Sequence, residues 1–68
     1  MEISVASRIR GKRSEFDMSQ EDLANMLGVN VTTVCSWESG KTTPSAPLIV
    51  RLSEIFKVTP NYLLGWNK

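Results

Sequence analysis

Residues 19–44 read SQEDLANMLGVNVTTVCSWESGKTTP, and the punctuation of this stretch decides the fold. Ser19 has a hydroxyl able to accept from the unpaired amides of a helix beginning at Gln20, and Asp22, three residues on, can answer it. Leu23, Ala24 and Leu27 recur at helical spacing as one apolar face, with small Ala24 leaving room for a second helix. Gly28 ends the segment, because glycine takes the left-handed conformation that stops a helix and redirects the chain, and Val29 plugs the corner. Asn30 is a suitable cap for the next helix, which holds Thr33, Val34 and Trp37 on its inner side and stops near Gly40. At about 3.6 residues per turn, Val31, Thr32 and Ser36 fall together on the outer side, which also carries Cys35. Two short helices meeting at a steep angle across a tight turn form a helix-turn-helix, whose second helix has the dimensions of the DNA major groove.

The flanking sequence adds three more helices. A first helix is expected over about residues 5–16, with Val5, Ile9 and Phe16 as its core stripe, weakened by Gly11 at a cost of roughly 1 kcal/mol against alanine. Pro44 and Pro47 are tolerated only before or within a first turn, so a fourth helix starts near Ser45 and aligns Ile49, Leu52, Ser53 and Phe56 on one face. Thr59 and Pro60 form a cap and first-position pair for a last short helix ending at Gly65. The expected architecture is therefore all-α, a single five-helix domain over residues 1–68, with no internal repeat, linker or low-complexity segment.

Ser19, Gln20, Leu23, Ala24, Gly28, Val29, Thr33, Val34, Trp37, Glu38, Gly40 and Pro44 together resemble the signature of the phage Cro and CI repressor family, also called the XRE family. The segment RIRGKRSEFD at 8–17 resembles that family's first helix, and PSAPLIVRLSEIFKVTPNYLLG at 44–65 its fourth and fifth. The resemblance implies a compact bundle of the lambda-repressor-like type that reads operator DNA, usually as a dimer, and represses transcription, with a phage or prophage setting by analogy. Two positions depart from the family pattern. Lys12 stands where an apolar residue is usual, so its stem is expected to pack, and Asp17 stands where glycine is common, aspartate tolerating an unusual helix exit better than most residues.

Composition narrows the alternatives. Sixty-eight residues make one small domain, which buries only about 60% of its unfolded surface. A lone cysteine, Cys35, forms no internal disulfide, and with no histidine the chain lacks the commonest metal ligand and general base. No apolar run approaches the roughly 20 residues that span a membrane, and the N-terminus has no signal-peptide pattern, so a reducing cytoplasm is expected. There is no phosphate-cradling glycine loop and no convergent carboxylate cluster. Neither catalysis nor a metal, cofactor or small-molecule ligand is expected. Eight Lys and Arg against seven Asp and Glu leave a net charge of only +1, so any basic patch must come from distribution. Arg8, Arg10, Lys12 and Arg13 cluster in the first helix, either as a local patch or as a solvated face balanced by Glu15 and Asp17.

The functional expectations follow residue by residue. Gln20 opens the second helix, where side-chain and backbone donors and the helix dipole favour a phosphate. Lys41, with the hydroxyls of Ser39, Thr42 and Thr43, follows the third helix and can grip the adjacent backbone. The resemblance places Asn30, Val31, Thr32 and Ser36 against the groove, where the methyls of Val31 and Thr32 suit a thymine methyl and Asn30 and Ser36 supply hydrogen bonds. Specificity is expected to lean on thymine contacts and on DNA shape, because no Arg or Gln stands on this face. The resemblance also pairs Arg13 with Glu38 as a structural ion pair, and it turns Trp37 inward. Tyr62, Leu63, Leu64 and Trp66 exceed what a short terminal helix can bury. Tyr62, Leu64 and Trp66 are therefore expected at a homodimer interface, the alternative cover being a further C-terminal region. A protein-interaction module, antitoxin-like or recruited, remains the competing function.

Overall fold

A computed structural model describes residues 4–65 as five helices in the order α1 (Val5–Glu15), α2 (Gln20–Leu27), α3 (Val31–Ser39), α4 (Ala46–Phe56) and α5 (Pro60–Leu64). The radius of gyration, 10.8 Å, is that of a folded domain of this length, for which about 11 Å is expected. The all-α five-helix expectation is met, strands being absent from the described residues.

Local chemistry sets the helix starts. Ser4 accepts from the Ser7 amide to begin α1, and Thr59 accepts from the Tyr62 amide to begin α5. Ser19 and Asp22 close a reciprocal capping box on α2, with Asp22 N–H donating to Ser19 Oγ at 2.9 Å and Ser19 N–H to Asp22 Oδ2 at 3.1 Å. Asn30 holds the cap position of α3 with extended backbone, but its side chain makes no capping bond.

Helix ends follow one scheme. A left-handed residue stops each helix, namely Asp17, Gly28, Gly40, Lys57 and Gly65. After the first four of these, the next amide reaches back to a carbonyl five residues earlier: Met18 to Arg13, Val29 to Ala24 and Val58 to Ser53, each at 3.0 Å, and Lys41 to Ser36, also at 3.0 Å. Asp17 takes φ of 55° and ends α1 as its tolerance of that conformation suggests.

The core joins Ile9 of α1, Leu23, Ala24 and Leu27 of α2, Val34 and Trp37 of α3, Leu52 and Phe56 of α4 and Leu63 of α5. Of the expected α1 stripe, Ile9 is fully buried and Val5 packs against the core, but Phe16 is 37% exposed. The reason is the early end of α1 at Glu15, which leaves Phe16 as the exit residue, leaning its ring on Phe56 with 5.8 Å between centroids. Arg51 of α4 donates to the carbonyls of Leu27 and Met26, both at 3.0 Å, so a guanidinium closes the C-terminal end of α2. The buried Ser53 hydroxyl donates to Val50 O at 2.6 Å.

Candidate nucleic-acid interface

The geometry of α3 depends on what lies behind it. Val34 and Trp37 enter the core, and Glu38 sits with them at 5% exposure, a carboxylate removed from water. Such a charge requires close partners. Arg13 of α1 supplies a fork, donating from Nε to Glu38 Oε2 at 2.8 Å and from Nη2 to Oε1 at 3.1 Å, while its Nη1 donates to Met18 O at 2.7 Å. The expected Arg13–Glu38 pair is thus present and bidentate. The hydrogen bonds to Glu38 raise the Arg13 pKa above its ordinary value, burial works against them, and the Glu38 charge adds to the rise. Two further groups join this centre. Gln20 of α2 donates from Nε2 to Glu38 Oε1 at 3.1 Å, and Arg10 of α1 donates to the Glu38 carbonyl at 3.3 Å.

Gln20 is expected to meet a phosphate with both side chain and backbone, but here its carboxamide turns inward to Glu38. Its oxygen also accepts from the Cys35 thiol at 3.4 Å, so both ends of the amide have protein partners. With the Asp22 amide capped by Ser19, the amides of Gln20 and Glu21 are the first-turn donors of α2 that have no intrahelical acceptor.

The outer side of α3 is left uncovered. Val31 is 39% exposed, Asn30, Thr32 and Cys35 are exposed, and Ser36 is half-buried. The structure therefore brings Val31, Thr32 and Ser36 onto one surface with Cys35. After α3 the amides of Lys41 and Thr42 return to Ser36 O at 3.0 and 3.4 Å, so the loop curls across the helix end and keeps the exposed Lys41, Thr42 and Thr43 beside it. Ser39 Oγ donates to Ser36 O at 3.1 Å, which ties down its hydroxyl hydrogen.

The basic cluster of α1 is neither a free patch nor a plain solvated face. Arg13 and Arg10 brace Glu38, Lys12 meets Glu15 at 3.2 Å, and Arg8 and Lys12 both lie over the Tyr62 ring, at 4.8 and 5.3 Å from its centroid. The Lys12 side chain is largely covered, at 18% exposure. Tyr62 is in consequence only 36% exposed, whereas Leu64 is 46% exposed. Trp66 lies outside the described residues. The cover over Tyr62 was not legible in the sequence, although cationic residues at 8 and 12, one helical turn apart, were a usable signal. Nothing local marked Arg51 as the cap of α2. Among the described residues, no group of His, Cys, Asp and Glu side chains could hold a metal, and no helix is long and apolar enough to cross a membrane.

Comparison with known proteins bears on this surface. The P22 c2 repressor, in a crystal structure with a synthetic operator, superposes with a TM-score of 0.88 at 29% identity, covering 96% of this chain and 98% of that one. An uncharacterised helix-turn-helix transcriptional regulator of Archaeoglobus fulgidus is 38% identical over 52 residues, 76% of this chain and 73% of its own length. The cryptic phage CTXphi transcriptional repressor RstR of Vibrio cholerae is 34% identical over 53 residues, and there the match spans 78% of this chain but only 48% of the relative. The helix-turn-helix family matches residues 9–63, from the buried Ile9 of α1 to the buried Leu63 of α5. With fold, core and uncovered α3 in agreement, the chain belongs to the helix-turn-helix family of transcriptional regulators of Cro/CI type, a DNA-binding and non-enzymatic family.

Proposed function

We propose that this chain is a sequence-specific regulator that binds a two-fold operator in duplex DNA as a homodimer and represses transcription by occupying it. The observation that carries the reading is the uncovered outer side of α3, in a domain that superposes over 96% of its length on a repressor seen with its operator. In this reading α3 enters the major groove. Asn30, Val31, Thr32 and Ser36 meet base edges, and Lys41, Thr42 and Thr43 flank them against the phosphates, the Ser39 hydroxyl being spent on Ser36 O. Gln20 joins the phosphate contacts chiefly through its backbone amide at the N-terminus of α2, its side chain being held by Glu38 and Cys35. Leu64 and Tyr62 form the contact between copies, which sets paired recognition helices about 34 Å apart. No cofactor takes part, and the domain acts in the cytoplasm.

Selection of the purified chain against a random duplex pool at two salt concentrations tests this. An enriched inverted repeat with half-site centres about 10 bp apart is expected. Absence of any enriched sequence, with no binding at low salt, would sink the reading. The internal engagement of the α1 cations favours one competing reading, a protein-interaction module on the same scaffold. Salt separates the two, because phosphate-driven affinity falls steeply as salt rises and apolar association does not.

A further inference from the structure

Three long polar side chains behind α3 are tied to the scaffold, leaving Lys41 beyond its C-terminal end as an exposed cation. Gln20 is held at both ends of its amide, Arg13 is held by Glu38 and Met18, and Arg10 donates to the Glu38 carbonyl. What faces outward is short: Val31, Thr32 and Cys35 are exposed and Ser36 is half-buried, with methyls on the first two and no charge on any. In the major groove, the group that such a surface discriminates best is the C5-methyl of a pyrimidine, because it offers apolar contact and demands no long donor. Thymine carries that methyl, and 5-methylcytosine carries it at the same ring position. The two bases differ in the neighbouring exocyclic group, an acceptor in thymine and a donor in cytosine, and a serine or threonine hydroxyl can satisfy either.

Resting on the DNA-binding reading above, we propose that the α3 face reads pyrimidine C5-methyl groups as such, so that cytosine methylation within the operator raises affinity. The test takes the purified chain and the duplex enriched by selection, and varies one half-site pyrimidine at a time. Uracil in place of thymine removes only the methyl. Cytosine and 5-methylcytosine at the same position, each paired with guanine, then isolate the methyl on the other base. At one or more positions, uracil is expected to weaken binding about fourfold, and 5-methylcytosine to bind about fourfold more tightly than cytosine, the effect of burying one methyl. Val31→Ala or Thr32→Ser should erase the difference at its own position, with melting temperature unchanged because both side chains are exposed. If uracil equals thymine and 5-methylcytosine equals cytosine everywhere, while the selected duplex still binds, the proposal is overturned and the DNA-binding reading stands. A uracil loss with no 5-methylcytosine gain also overturns it, since recognition then needs the thymine acceptor. Should no duplex be enriched at all, both readings fall together.

Discussion

Glu38 carries a charge at 5% exposure and receives side chains from α1 and α2, so it fixes how those helices meet α3. Removing one member of such a buried pair costs about 3–5 kcal/mol, a large share of the total stability of a domain this small. Glu38→Ala is therefore expected to lower the urea midpoint sharply or to unfold the chain, as circular dichroism would show. Its partner adds no pH dependence near neutrality. The Arg13 pKa is raised on folding, so its contribution is fully present below the ordinary arginine value and is lost only as pH rises through the still higher folded value. Arg13→Met should accordingly lower the melting temperature by the same amount at neutral and mildly alkaline pH. Exposed positions behave differently. Lys41→Ala should weaken binding to all duplexes alike and reduce the salt slope by about one, whereas Thr32→Ala should change which sequences are enriched, with neither altering the melting temperature. The opposite pattern would exchange the two assignments.

At the scale of the element, starts and stops were written in single residues. Ser19 with Asp22, Gly28, Gly40 and Thr59 with Pro60 all act where their chemistry places them, because capping is decided within a few positions of sequence. Side-chain reach across elements was not legible in the same way. The inward turn of Gln20, the capping of α2 by Arg51 and the cations over Tyr62 depend on helix orientation, which no local pattern encodes. The exposure of Phe16 has the same origin, since moving a helix exit by one residue swings a side chain off the core face. Two elements hold reserve stability. A Cβ added at Gly11 meets nothing within 4 Å, so Gly11→Ala should stabilise α1 by about 1 kcal/mol. Asp17→Gly relieves a left-handed residue that bears a side chain and should add roughly 0.5–1 kcal/mol, part of the relief being offset by the freer unfolded chain. Thermal melts of each variant check both values, and a drop in either would show that the residue makes a contact beyond its backbone role.

For the whole molecule, the open question of sequence was how much of α5 needs cover, and α1 supplies part of the answer. With Tyr62 roofed by Arg8 and Lys12, the exposed Leu64 becomes the better probe of self-association. Leu64→Asp should leave the melting temperature near that of the parent, abolish dimers in sedimentation equilibrium, and weaken binding to a full two-fold operator far more than to a half-site. Equal losses on both duplexes would remove α5 from the dimer contact. The division of labour on α3 has a consequence for lineages of such domains. Support comes from Val34, Trp37 and Glu38 behind the helix, while Val31, Thr32 and Ser36 in front contribute little to the core. Sites without shared partners change stability independently. Drift at the front can thus rewrite the preferred sequence while the fold persists, and descendants of one ancestor can diverge in their targets without passing through an unfolded intermediate.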